Sequence, residues 1–502
     1  MNDKVSIVQL DTGVPGLNEV LGGGLPEFSF NLLGGAPGAG KTTLVHQICF
    51  ALATPERPAL YITVLGEPPL KLLRYQQQFA FFDEAKINRQ LRFFSVPHDV
   101  LEAGLGKVLE QIVGEVESTN PKLVVIDSFR SVIRAAPKGE RQGEVLLEAF
   151  VQRLALHLTS WQATTFLVGE YQDSEKQDNP IFTVADGIVW LSQSVERNSM
   201  MRKLQVVKMR GQAPIPGLQT FRITGNGVTV FPRLPTPKEM RNQDQVNIDA
   251  GSTQITRVSA GVRELDEMMD GGIPAGSSLL VAGPSGSSKT ILSMQFLAEG
   301  LAQREPGLLA VFEKRPSDYL RTNPLGATVA RHIQDGSLRV IYLRPLDLSL
   351  DETLDEIRTV VQAQGVKRVV IDSLSGLELA LAPAFREDFR ETLHRMVAML
   401  TSIGITLLLT VEVVDSYIDL RFSPHGTAFL TDGIILQRYV ELDGQLKRLI
   451  SIVKLRGSQH SKELRLYEVT NEGLVIGAGL RGYEGLMTGT PKRMHNLEPK
   501  IP

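Results

Sequence analysis

The sequence predicts an α/β protein of two tandem homologous domains, each a mainly parallel sheet flanked by helices. Three observations predict it. Landmarks of the first half return in order in the second; short Val/Ile/Leu runs alternate with helical patterns; and a glycine-rich loop joins an apolar run to a helical pattern in each half. At 502 residues the chain is too long for one core.

The repeat is read from the N-terminus onward. Thr12-Gly13-Val14-Pro15-Gly16-Leu17-Asn18-Glu19, closing on Gly23-Gly24-Leu25-Pro26, returns as Ala260-Gly261-Val262-Arg263-Glu264-Leu265-Asp266-Glu267, closing on Gly271-Gly272-Ile273-Pro274. A loop lysine returns at 289 − 41 = 248, an apolar run ending in aspartate at 372 − 127 = 245, and a Lys-x-Arg-Gly element at 454 − 208 = 246. Nearly constant offsets mark a duplication. The domains expected are 1–237 and 255–484. Residues 238–254, polar and preceded by Pro232, Pro235 and Pro237, are expected to be a linker, and 485–502 a mobile tail. Apolar runs without alternation suit strands buried on both faces, and Leu146 to Leu158 and Phe389 to Leu400 suit the covering helices.

The first loop reads Gly35-Ala36-Pro37-Gly38-Ala39-Gly40-Lys41-Thr42, followed by Thr43. This is the phosphate-binding pattern. Glycines let backbone N–H groups close on phosphate oxygens, Lys41 reaches the β- and γ-phosphates, and the Thr42 hydroxyl can ligate Mg²⁺. The run Phe30-Asn31-Leu32-Leu33 reads as the preceding buried strand, and Leu44, Ile48 and Leu52 as the following helix. The second loop reads Gly283-Pro284-Ser285-Gly286-Ser287-Ser288-Lys289-Thr290, followed by Ile291. Ser288 stands where the first half has Gly40, so a Cβ and a disfavoured positive φ predict weakened rather than lost nucleotide binding.

Asp127 and Asp372 end the runs Leu123–Asp127 and Arg368–Asp372, where a phosphate-loop enzyme holds its Mg²⁺-coordinating aspartate. A carboxylate to place water is sought just past the preceding strand. The candidates are Glu67, in Leu65-Gly66-Glu67-Pro68, and Glu313, in Glu313-Lys314-Arg315-Pro316. Aligned on the prolines, Glu313 falls opposite Leu65, which leaves Glu67 two positions out of register and Glu313 the stronger candidate. The pairs Lys208/Arg210 and Lys454/Arg456, after strands expected at the far edge of each sheet, are candidate cations for a neighbouring subunit's γ-phosphate.

Composition excludes other classes. The chain is 42% apolar and 22% charged with a net charge of −3, which gives no general pull toward nucleic acid or anionic membrane. The eight histidines form no closely spaced metal-ligand pair, and the single Cys49 excludes a thiolate zinc site and a disulfide framework. Trp161 and Trp190 read as core or interface residues. No apolar segment suits a signal peptide or a bilayer span, so a soluble, cytoplasmic protein is expected.

With these residues assembled, the chain resembles the KaiC family of tandem RecA-like ATPases. The resemblance runs from Thr12 to Arg493 and rests on the Gly-Gly-[Leu/Ile]-Pro elements, both phosphate loops, both Lys-x-Arg-Gly elements and the closing Leu480-Arg481-Gly482-Tyr483-Glu484-Gly485-Leu486-Met487-Thr488-Gly489-Thr490-Pro491. It implies a double-ring homohexamer with ATP and Mg²⁺ at subunit interfaces and slow hydrolysis in the first ring. In clock members it also implies serine/threonine autophosphorylation in the second. The family's two adjacent glutamates are here Leu65-Gly66 and Glu313-Lys314. Its Ser-Thr phosphosite pair, aligned on Leu430-Thr431-Asp432, becomes Ala428-Phe429; Thr427 and Thr431 are nearby hydroxyls out of position. The leading expectation is therefore a ring-forming regulatory ATPase with slow turnover that signals to a protein partner. The alternatives are an autokinase, a DNA-acting ATPase of RecA type, and an ATP-stabilised scaffold without turnover.

Overall fold

The computed structural model describes residues 7–64, 69–134, 142–172, 180–196, 199–233, 255–312, 315–342, 350–380, 389–413, 429–487 and 491–493. The chain divides into two compact units, Met1–Arg233 and Leu234–Pro502. The segment 238–254 expected as a linker lies outside the described residues.

The first unit carries nine strands in one sheet: β1 Phe30–Gly35, β2 Ala59–Val64, β3 Leu91–Val96, β4 Leu123–Asp127, β5 Thr164–Glu170, β6 Gly187–Glu196, β7 Ser199–Met209, β8 Gln219–Thr224 and β9 Gly227–Phe231. Their order is β9-β8-β7-β6-β1-β5-β4-β2-β3. Pairings from β6 to β3 are parallel, and those from β6 outward to β9 are antiparallel. The second unit repeats this order with β10 Ser278–Gly283, β11 Gly307–Val311, β12 Leu338–Tyr342, β13 Arg368–Asp372, β14 Thr406–Glu412, β15 Gly433–Leu442, β16 Gln445–Leu455, β17 Arg465–Thr470 and β18 Gly473–Gly479. Both are mixed sheets of mostly parallel strands flanked by helices, the RecA-like arrangement.

The apolar runs do not alternate with polar residues because both faces are buried, and side-chain parity sorts them between two cores. Leu33, Ala59, Tyr61, Leu123 and Val125 join one core with Leu44, Ile48, Cys49 and Leu52 of α1 (Lys41–Leu52). Leu32, Leu60, Ile62, Val124 and Ile126 join the other. There they meet Val108, Ile112 and Val116 of α2 (Leu105–Thr119), spaced by four residues, and Phe150, Val151, Leu154 and Leu158 of α3 (Gln142–Ser160). Trp190 is core and Trp161 packs against it partly exposed.

Parallel strands point one way, so their C-terminal ends collect at one rim. Gly35, Asp127 and Glu170 end the adjacent strands β1, β4 and β5; Gly283, Asp372 and Glu412 end β10, β13 and β14. In the tail expected to be mobile from 485, Leu486 is buried against Val440, Leu442 and Leu449, and Lys492–Arg493 pair with Tyr483–Glu484. A buried leucine supplies the packing that composition alone did not reveal.

Candidate active site

Each phosphate loop connects the central strand to a helix: β1 to α1, and β10 to α4 (Lys289–Ala302). In the first, Lys41 donates to the carbonyls of Gly35 at 3.0 Å and Ala36 at 2.7 Å. In the second, Lys289 donates to Gly283 at 2.8 Å and Pro284 at 2.7 Å. The loops therefore have one conformation, with the ammonium folded over its own cradle. Gly38, Gly40, Lys41, Thr42 and Thr43 line a cavity of about 290 Å³ with Asp127 and Glu170. Gly286, Ser288, Lys289, Thr290 and Ile291 line one of about 360 Å³ with Tyr319, Asp372 and Glu412. Gly35 and Ala39, like Gly283 and Ser287, face protein instead. A Cβ on Gly35 would meet the Leu191 carbonyl at 1.9 Å, Ala39 is fully buried, and Ser287 donates to Gln437.

The swap of Gly40 for Ser288 keeps the backbone. Gly40 has φ 98° and Ser288 φ 71°, both left-handed. A Cβ on Gly40 would meet Ile223 Cδ1 at 2.5 Å. Next to their turns the hairpins β8–β9 and β17–β18 share one register (Thr224 opposite Gly227, Thr470 opposite Gly473), which places Val469 at the position of Ile223. Valine has no δ carbon, so the second half removes the atom that its extra Cβ would strike. The Tyr467 hydroxyl then anchors that loop on the Ser287 carbonyl at 2.5 Å.

The threonine and the distant aspartate meet in both halves. Thr42 donates to Asp127 Oδ2 at 3.1 Å, and Thr290 to Asp372 Oδ2 at 2.8 Å. Hydroxyl and carboxylate oxygens are hard ligands of the kind Mg²⁺ takes beside phosphates, so this pair fits the ion. Burial pushes the Asp127 carboxyl up, against the hydroxyls of Tyr61 and Thr42 and the charge of Lys41, which pull it down. Burial lowers Lys41, against the attraction of Glu170 and Asp127.

Four residues were missed in the sequence. Glu170 and Glu412 stand opposite the first loop glycines, Gly35 and Gly283 respectively, and line the two cavities. The signal was present, since each ends an apolar run and 412 − 170 = 242 lies close to the repeat offset. Tyr61 and Tyr319, which touch the two aspartates, carried no such signal because 319 − 61 = 258 does not match it. The carboxylate candidates Glu67 and Glu313, which follow β2 and β11 in sequence, lie outside the described residues, as do Thr427 and Ala428. Phe429 is exposed and Thr431 buried.

The Lys-x-Arg pairs are not brought to their own loops. Lys208 lies near the end of, and Arg210 just after, a strand two places in from the edge, not the outermost strand expected, because the hairpin β8–β9 extends the sheet. Lys208 donates to the carbonyl of Thr183 at 3.0 Å, and Arg210 pairs with Asp186 at 3.0 Å. Lys454 donates to the carbonyl of Thr431 at 2.5 Å, and Arg456 faces Asp432 at 3.6 Å. Met209 pairs with Gly187 at the start of β6, whereas Gly35 pairs with Leu191. Arg210 therefore lies roughly 15 Å along the strands from its own loop, at the opposite rim.

Fold and site define a phosphate-loop protein in which each half carries the loop's lysine, its threonine and the facing aspartate, the second with Ser288 in place of the last loop glycine. The profile of the family described as "ATPase: KaiC" matches residues 10–235 and 258–481. The chain belongs to the KaiC ATPase family. Among its relatives, the circadian clock oscillator protein KaiC of Parathermosynechococcus lividus is 28% identical over 100% of this chain and 91% of its own length. The proteins of the same name from Prochlorococcus marinus and Thermostichus vulcanus are each 27% identical over 98% of this chain, and over 96% and 93% of their own lengths.

Proposed function

We infer that this protein is a slow, Mg²⁺-dependent ATP hydrolase of the cytoplasm that assembles as a double-ring homohexamer and signals its nucleotide state to a protein partner. The observation that carries the assembly is the position of Arg210 and Arg456. An exposed arginine at the rim opposite its own loop, held on a half-buried aspartate, serves a phosphate only across a subunit boundary. Bound Mg²⁺ would neutralise charge that develops on the transferring phosphate. The chain's own residues do the rest. Thr42 and Thr290 with Asp127 and Asp372 would hold the ion, Lys41 and Lys289 would leave their loop carbonyls for the phosphates, and the neighbouring subunit's Lys-x-Arg pair would meet the charge that develops on the γ-phosphate.

Slow turnover follows from the water-placing group. In sequence register the first half has Leu65 and Gly66 directly after the strand and Glu67 two positions on, whereas the second has Glu313. Turnover is therefore assigned mainly to the second half, and tight ATP binding to the first. Phosphorylation of clock type is not part of this reading, because Ala428-Phe429 carry no hydroxyl. Light scattering of the full chain with and without Mg-ATP tests the assembly. A six-fold mass with nucleotide is expected, and a monomer under both conditions would remove it.

A further inference from the structure

In both halves the aspartate beside the loop threonine also accepts a tyrosine hydroxyl, and the two tyrosines are not related by the repeat. Tyr61, inside β2, donates to Asp127 Oδ2 at 2.7 Å. Tyr319, on α5 (Pro316–Arg321), donates to Asp372 Oδ2 at 2.8 Å. The repeat position of Tyr61 is Leu309 and that of Tyr319 is Lys71, so each half reaches the same carboxylate oxygen from a different element. Around Tyr61 the first half stacks His46 at 4.4 Å and sets Phe93 tilted at 5.3 Å; the second has Met294 and Leu309 at the positions of His46 and Tyr61.

Packing alone does not ask for the hydroxyl. Both rings are essentially buried, and a phenylalanine would fill the same space without a polar group to satisfy. The geometry points to Tyr61 and Tyr319 as positioning residues for the divalent-cation site. Each fixes the rotation of its carboxylate beside the threonine hydroxyl, so that the oxygens are set before the metal arrives. The halves differ in redundancy. Thr410 donates to Asp372 Oδ1 at 2.5 Å, whereas Val168, at the same register of β5, has no hydroxyl to offer Asp127. Asp372 is thus held by Thr290, Tyr319 and Thr410, and Asp127 by Thr42 and Tyr61. The first site depends more on its tyrosine.

This inference rests on the Mg²⁺ role proposed for Asp127 and Asp372, and the experiment separates the two. Mn²⁺ is titrated by electron paramagnetic resonance into the full chain with a non-hydrolysable ATP analogue, and analogue binding is measured separately in EDTA. Tyr61→Phe is expected to weaken Mn²⁺ at one class of site about 10-fold. Tyr319→Phe should do less, and Tyr319→Phe with Thr410→Val should approach the Tyr61→Phe effect. Metal-free analogue binding should stay unchanged in Tyr61→Phe, whose residue does not line the cavity, which a packing role would not guarantee. The inference is overturned if Asp127→Asn shifts the Mn²⁺ curve and neither tyrosine variant does, or if Tyr61→Phe weakens metal-free binding as much as it weakens Mn²⁺. If Asp127→Asn and Asp372→Asn both leave the curve in place, the metal reading falls and the inference with it.

Discussion

Gly40 in the first half and Ser288 in the second occupy one place in one loop and reach one backbone shape by different means. The first half uses a residue without a Cβ and fills the space with Ile223 Cδ1; the second carries a Cβ and retracts the facing side chain to Val469. The aspartates show the same pattern, with Tyr61 on a strand in one half and Tyr319 on a helix in the other. A site of this kind is constrained at its polar atoms and free in the elements that deliver them. One-residue differences in a motif are therefore weak guides to its fate until the facing residue is known.

The comparison breaks most visibly at the loop lysines. Lys41→Ala should abolish nucleotide-dependent assembly, while Lys289→Ala should largely spare it, as read by light scattering. Equal loss from both would mean that the halves are equivalent. Next in size is turnover at saturating ATP. Glu313→Gln should lower it on the order of 10²-fold, and Glu67→Gln should change it little. The reverse ranking would make the first half the site of hydrolysis.

A pH difference sharpens the comparison further. His46 is fully buried, and burial lowers it from 6.5 to about 4. It is neutral near pH 7, so its Nδ1–H donates to the Thr42 carbonyl at 2.7 Å and leaves Nε2 buried without a partner. The unfolded chain binds the proton below 6.5 and the folded one does not. Its stabilisation is thus present above pH 6.5 and lost as the pH falls toward 4, by about 3 kcal/mol at most. The second half has Met294 at this position. Hydrogen-exchange protection, taken relative to the intrinsic rate at each pH, should fall between pH 7 and 5 in α1 more than in α4, and His46→Met should flatten the difference. A matching loss of protection in both helices would remove His46 as its source.

The smallest effect expected is at the loop glycine. Gly40→Ser should cost about 1–2 kcal/mol of first-half stability through its left-handed φ, with a further contact against Ile223. Ile223→Val in the same chain should recover part of the loss in thermal unfolding. A double variant no better than Gly40→Ser alone would show that the valine at 469 is not the compensation. In the second half, Ser288→Gly should lower the apparent KM without a large change in kcat.

Whatever depends on neighbours in sequence was legible in the sequence. The loops, the run ending in Asp127 and its repeat, and the strands buried on both faces follow from local residue type and period. So does the duplication, because offsets are counted along the chain. Contacts whose partners are far apart were not legible. That Thr42 meets Asp127 depends on β1 and β4 ending at one rim with β5 between them. That Arg210 cannot reach its own phosphates depends on the antiparallel turn into β7, which carries it to the other rim. Tyr61 and Tyr319 reach equivalent oxygens from unrelated positions, and no sequence offset connects them. A side chain's reach is set by where the backbone puts its Cβ, and only the folded sheet fixes that.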